Sequence, residues 1–474
     1  MQNAEPALFE RRLDARLVLS VAAAGIMSFS GVVVETSMNI AFPTLMEEFG
    51  VGTATVQWIT TGYLLVLAAV IPLSAFLKRR FTTKAVFVAA VLLFLAGTLA
   101  CAAAPVFGVL IAGRIVQGVG TGLALPLMYN IVIEQAPFDK MGLMMGIATL
   151  VTAVAPAVGP SVGGLILNLW GWRMIFMVLV PLLVVSFVMG VASIRQVAAT
   201  QKVTFSVPQF VALAGSFACL VFATSSASSA GWLSLQVVGL LVAFVVLLAL
   251  FCLMASRSEN PLIRVDIFKD PAFSLSVVYV VLLQSIALAT SYIIPNYAQL
   301  TFDFDAFSAG CLMLPGCIVG AVLSPFGGRF LDALGAKRPI IFGACSQFLA
   351  LVLFVLFGVK VGVIYLAVFN MFISIGQGFS MSNSITNGLS YLPENRKSDG
   401  NAAFNTLQQL GGAMGTAVAT SIVGAAQVGA TDVAAATTVG VGQAFWVFFG
   451  VSLVALCCAL GVFAVRGRVR AAAR

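Results

Sequence analysis

LLVAFVVLLALFCLM, Leu240 to Met254, is an unbroken apolar run in which nothing alternates. A strand of a membrane barrel alternates apolar and polar residues, so this block is no barrel strand. Only helices and closed barrels satisfy their backbone groups inside a bilayer, which leaves a helix. Comparable blocks recur along the whole chain of 474 residues. The chain is 61% hydrophobic and 9% charged, whereas soluble domains carry roughly a quarter charged residues. Too little polar surface exists to cover a globule of this length, and lipid is the solvent the sequence expects.

A crossing needs about 20 mostly apolar residues. On that measure the sequence predicts an all-α polytopic membrane protein with 14 transmembrane helices, near 17–42, 54–77, 85–104, 107–133, 141–168, 173–194, 208–228, 233–255, 272–298, 307–331, 339–359, 361–385, 401–425 and 443–465. Spans nearly touch at Pro105 and Lys360. The opening MQNAEPALFERRLDAR is polar and the apolar segment after it is too long for a signal h-region, so no cleavable signal peptide is expected.

The net charge is +8, yet the basic residues sit in short loops between apolar blocks, which excludes a nucleic-acid surface. With the amino terminus inside, every one of the 25 lysines and arginines is cytoplasmic except Arg173 and Lys360 outside and Arg114 within a span. Glu47, Glu48, Asp303, Asp305 and Asp432 fall outside. This asymmetry follows the positive-inside rule and predicts an even number of crossings with both termini cytoplasmic. There is no histidine, which excludes histidine relays. The cysteines (Cys101, Cys219, Cys252, Cys311, Cys317, Cys345, Cys457 and Cys458) lie in apolar segments without metal-ligand spacing. No phosphate loop and no nucleophile–base set is present, so ATP drive, enzymatic turnover, metal and cofactor are all unexpected.

Two loops resemble each other: PLSAFLKRRFTTK (Pro72 to Lys84) and GGRFLDALGAKR (Gly327 to Arg338). Each follows the second helix of a six-helix half, which divides the chain into residues 1–200, an inserted helix pair at 201–260, and residues 261–474. Internal repeats of this kind build secondary transporters, with substrate bound between the halves.

Further motifs stand in order along the chain: ETSMNIAFP (Glu35 to Pro43), VQWITTGYLL (Val56 to Leu65), RIVQGVGTGLALP (Arg114 to Pro126), APAVGPSVGG (Ala155 to Gly164) and WGWRMIF (Trp170 to Phe176). With the repeated loop they resemble the major facilitator superfamily, and within it the fourteen-span drug:proton antiporters of the EmrB/QacA/LmrB type. The resemblance covers essentially the whole length. It implies the major facilitator fold, coupling through the helix 1 acid and helix 4 arginine, and support for export from the helix 5 motif with Pro156, Gly159, Pro160 and Gly163. Conformational roles fall to Arg329 and Asp332 in the second loop. The first loop departs from the family pattern: Arg79 stands where an aspartate is usual and Ala75 where a glycine is. Glu35 replaces the aspartate of many relatives and preserves a titratable carboxyl.

The residues themselves also point to Glu35 and Arg114. A charge at mid-bilayer costs about 2.5–3.5 kcal/mol even on the insertion scale. Glu35 precedes Pro43, and Arg114 follows Pro105, by similar distances, so both lie about 12–14 Å below the outer end and can meet if their helices face. One reading is a proton switch; the other is a static ion pair fixing helix 1 to helix 4. Glu134 reads as an interfacial anchor. Asn39 shares a face with Glu35, and Gln117 and Thr121 share one with Arg114. Asn370, Ser374 and Gln377, then Gln284, Tyr292 and Asn296, then Asn405, Gln408 and Gln409 recur on their spans. They predict either a substrate cavity or interhelical hydrogen bonds. Trp58 and Tyr63 read as an aromatic wall for flat or cationic compounds, or for Trp58 as an interface anchor.

These readings converge on an inner-membrane, proton-coupled antiporter that exports amphipathic small molecules or drugs by alternating access. A narrow exporter or importer of one amino acid, peptide or siderophore is the alternative. Its partners are protons, lipid and a neutral or monocationic lipophilic substrate, and a monomer is expected.

Overall fold

A computed structural model describes residues 13–38, 41–51, 53–56, 58–197, 200–201, 203–258, 261–304, 306–427 and 430–472, all helical or connecting, with no strand among them. In chain order the long helices are α1 (Ala15–Met38), α2 (Trp58–Arg80), α3 (Thr83–Ala102), α4 (Phe107–Gln135), α5 (Met141–Trp170), α6 (Arg173–Ser193), α7 (Val207–Ala230), α8 (Leu235–Arg257), α9 (Pro271–Phe302), α10 (Leu314–Leu334), α11 (Lys337–Phe357), α12 (Val363–Leu389), α13 (Lys397–Gln427) and α14 (Val433–Ala472). Among the described residues, 12 helices are long and apolar enough to cross a bilayer, which makes the chain a multi-pass membrane protein. The expected 14 is met in full only if α5 and α13, of 30 and 31 residues, also cross. α13 reads poorly on hydropathy because Asn401, Asn405, Gln408 and Gln409 interrupt it.

Several boundaries differ from expectation for identifiable reasons. The first span ends at Met38 rather than 42, because a separate short helix, Phe42–Phe49, begins with a proline in its first turn. α14 starts ten residues before the expected 443, at Val433. Asp432 caps it by accepting from the Ala435 N–H at 3.0 Å, and the alanine-rich turn that follows favours helix without being strongly apolar.

α1 to α6 pack largely with one another, as do α9 to α14. The two sets meet along α5–α10 and α5–α12 on one flank, and where α13 touches α2 and α4 on the other. The pair α7–α8 lies outside this arrangement, with α7 against both α2 and α13. Small residues permit the α5–α10 approach: a Cβ on Gly146 would stand 2.6 Å from the Ser324 carbonyl oxygen, and the Ser324 hydroxyl donates to the Gly146 carbonyl at 2.9 Å.

One end of the bundle is basic and closed by polar contacts. Asp332 of α10 accepts from the Gly142 N–H at 2.9 Å and the Leu143 N–H at 3.0 Å, capping the start of α5. Lys78 pairs with Glu134 of α4 at 2.8 Å and donates to Ser398 of α13. Glu134 is thereby a partner of a specific lysine, with both side chains mostly buried. Arg79 donates to the Pro261 carbonyl at 2.6 Å, in the connector after α8. The Arg264 N–H of that connector donates to Asp399 at 3.1 Å. Asn401 of α13 donates to Asn130 of α4 at 3.0 Å.

At the opposite end Glu48 collects the Trp172 indole N–H at 2.6 Å and Arg173 at 2.7 Å. Arg173 also donates to the Ala104 carbonyl at 3.0 Å. The WGWR turn therefore ties the short helix Phe42–Phe49 to α3 and α6. These hydrogen bonds hold the Glu48 carboxyl below its ordinary value, the indole first.

Candidate functional site

Between the two helix sets lies a cavity of about 230 Å³. Val32, Glu35 and Thr36 of α1 and Leu125 and Tyr129 of α4 form one side, with Thr149 and Thr152 of α5. Gln284 and Leu288 of α9 face them, with Asn370 and Gln377 of α12 and Asn405, Gln408 and Gln409 of α13. Glu35 is the one charged side chain among the described residues of this wall.

Arg114 is fully buried and stands behind the wall. Its Nε donates to the Ile59 carbonyl at 3.2 Å and its Nη1 to the Gln117 side-chain oxygen at 3.0 Å. The guanidinium lies 4.1 Å over the Tyr63 ring, a cation–π contact made strong by exclusion of water. Nη2 has no hydrogen-bond partner among the described residues. Among the described residues no ion pair within 4.0 Å joins Arg114 to Glu35. α1 and α4 are linked instead through Tyr63, whose hydroxyl lies 3.0 Å from the Gly31 carbonyl and 2.8 Å from the Thr121 hydroxyl. Gly31 is one turn before Glu35 on α1. Gln117 completes the cluster by donating to the Thr98 hydroxyl of α3 at 2.8 Å. The polar thread from Arg114 thus reaches the α1 backbone at Gly31, one turn before Glu35, rather than the Glu35 carboxyl itself.

The remaining anticipated positions divide. Gln284, Asn370, Gln377 and Gln408 line the cavity. Tyr63 and Gln117 are fully buried in the Arg114 cluster. Trp58 packs against Phe222 of α7 with ring centroids 5.2 Å apart, away from the wall. Tyr292 lies against the core of the α9–α14 set, and its backbone carbonyl accepts from Asn296 at 2.8 Å. Asn39 and the side chains of Pro156 and Pro160 lie outside the described residues. Gly159 and Gly163 pack α5 onto α1: a Cβ at 159 would strike Thr36 and stand 3.0 Å from the Val33 carbonyl, and one at 163 would stand 2.6 Å from the Ser37 Cβ. The Ser37 hydroxyl donates to the Gly159 carbonyl at 2.7 Å. Asp332 caps α5 as described, while Arg329 is exposed at the basic end of α10.

Reading the sequence did not single out Thr36, Tyr129, Thr149 or Thr152 as cavity residues. A hydroxyl in a span is common and often satisfied by the preceding turn, as Thr36 is by the Val32 carbonyl at 3.0 Å, so residue type alone gives no signal. Tyr129 and Thr152 reveal themselves only as a pair, with hydroxyls 3.3 Å apart across α4 and α5.

Two helix sets around a polar cavity define a membrane transporter fold, and the Major Facilitator Superfamily model matches residues 22–416. The chain belongs to that superfamily. It is 36% identical over 441 residues to the lincomycin resistance protein LmrB of Listeria monocytogenes, covering 91% of this chain and 94% of that protein. The LmrB protein of Bacillus subtilis is also 36% identical, over 413 residues, covering 87% of this chain and 86% of its own length. A multidrug resistance protein B homolog of Mycobacterium tuberculosis is 27% identical over 414 residues, 86% of this chain and 76% of that one. In fold the chain resembles the human organic anion transporter MFSD10, with a TM-score of 0.63 at 14% identity over 92% of this chain and 99% of the other.

Proposed function

We propose that this chain is a fourteen-span, proton-coupled antiporter of a bacterial inner membrane that exports amphipathic small molecules by alternating access. In this reading residues 1–200 and 261–474 are the two rocking halves, and 201–260 contributes the inserted pair α7–α8. The basic end faces the cytoplasm with both termini. The observation that carries the proposal is the position of Glu35, the lone carboxyl among the described residues on the wall of a cavity between the halves, with the Nη2 of Arg114, unpaired among the described residues, buried behind it. A carboxyl there exchanges a proton for a substrate cation, and a shift of α1 against α4 brings it toward or away from the guanidinium, changing its proton affinity. Each charge moved gains about 2.3 kcal/mol per 100 mV of membrane potential. Contacts at the basic end support a cytoplasm-closed stage, with Asp332 and Lys78 as gate groups. Gly159 and Gly163 hold α5 to α1 while that stage forms, and the cavity amides supply substrate contacts.

The names of the relatives make lincomycin a first compound to try. The test is dye uptake into everted vesicles energised by a proton gradient. Glu35→Gln abolishes gradient-driven uptake while leaving the protein in the membrane at normal level; undiminished proton-driven transport by that variant refutes the coupling role.

A further inference from the structure

Three glutamines on the cavity wall, Gln284 of α9 and Gln408 and Gln409 of α13, form no hydrogen bond to any other described residue. Neighbouring amides are differently employed. Gln377 donates to the Leu283 carbonyl at 3.0 Å, and Asn405 donates to the Asn401 carbonyl at 2.9 Å. Free amides within a span are costly unless something answers them. Their placement is also specific. Gln284 lies against α13 beside Gly412, where a Cβ would stand 3.4 Å from the Gln284 Cγ, an ordinary contact distance. Gln408 is four residues earlier on the same face of α13, so the two amides are neighbours.

Across the cavity Glu35 is the only charged side chain among the described lining residues. One carboxylate matches one cationic centre. A second positive charge would sit against neutral amides and apolar side chains, and an anion would be repelled. A purely apolar remainder would strip water from the three amides and leave their donors and acceptors unmatched, a penalty larger than the gain from one hydrogen bond.

We infer that the preferred ligands are monocationic amphiphiles carrying a neutral hydrogen-bonding arm, hydroxyl- or amide-rich, with the cation at Glu35 and the arm at Gln284, Gln408 and Gln409. The inference rests on the transport reading above and gives its cavity a substrate class. Glutamine presents a donor and an acceptor at once, so the wall selects for arms that do both.

The experiment is equilibrium binding to the purified full chain in nanodiscs, at one pH and without a gradient. N-octyl-N-methylglucamine has an ammonium, an apolar tail and a polyol arm; N-octyl-trimethylammonium has the tail and charge without the arm. The expected result is that wild type prefers the polyol compound by about tenfold, the worth of one or two net hydrogen bonds. Gln284→Leu and Gln408→Leu remove that preference while the trimethylammonium compound binds as before. Equal affinity of the two compounds for wild type, or a preference that survives both substitutions, overturns the inference. Because no gradient is present, a failure of proton coupling at Glu35 leaves this outcome untouched.

Discussion

Removing the Asp332 carboxylate tests whether the closed basic end is held by discrete contacts. In Asp332→Ala the N–H groups of Gly142 and Leu143 lose the oxygens that accept them at 2.9 and 3.0 Å. These are first-turn donors of α5 with no partner inside their own helix. A side-chain cap of this kind is worth about 1–2 kcal/mol, with the charge adding to it at a helix amino terminus. Asp332 is only half-buried, which argues for the lower half of that range. The cap joins α10 to α5, so on the alternating-access reading its loss falls on the closed arrangement and not on the open one. A change of about 1–1.5 kcal/mol alters the closed-to-open ratio by about 5–12-fold. Spin labels at Lys84 and Lys337, both exposed at the basic end on opposite helix sets, read that ratio as a distance distribution. The expected result is growth of the long-distance component in Asp332→Ala. Asp332→Asn, which keeps an accepting oxygen, should shift it less. An unchanged distribution in both variants would show that the contact seals nothing.

Gly159→Leu drives a side chain into Thr36, the residue next to the cavity acid, and into the Val33 carbonyl. It is expected to cost about 1–3 kcal/mol as overpacking and to lower the midpoint of thermal unfolding in detergent, with transport reduced more than expression. The Glu48 carboxyl titrates lower in the folded chain than its ordinary value of 4.5 because Trp172 and Arg173 donate to it. Its contribution to stability is therefore fully present above the unfolded value and is lost as pH falls through the folded one. Wild type should lose more stability than Glu48→Gln in a pH series run from neutral to acid, read by thermal unfolding; parallel curves would remove Glu48 from the account.

Most of the helical order was legible in the sequence because a bilayer imposes one requirement, a long apolar run, that composition reports directly. α4 was anticipated at 107–133 and runs Phe107–Gln135. Ends set by capping were harder to see, as Asp432 and the start of α14 illustrate. Intramembrane charge marked Glu35 and Arg114, since lipid tolerates few such residues. Their relation to each other was not legible. Equal depth says nothing about azimuth around the helices, and it was Tyr63, read as an aromatic wall, that proved to occupy the ground between α1 and α4. The polar positions on α12 and α13 were found by helical spacing. Those on α4 and α5 were not, because a threonine satisfied by its own backbone and one facing a cavity have the same sequence.

The placement of α7 has a consequence for how the two seams between the helix sets meet the bilayer. By leaning on α2 and α13 together it shutters one of the two clefts through which the bilayer could communicate with the interior. Where α5 meets α10, no described helix offers comparable shelter, and Leu165, Ile318, Val322 and Phe326 are bare. The molecule is thus one-sided toward its membrane: an added helix covers one seam between the sets, while the close contact of α5 with α10 by itself closes the other.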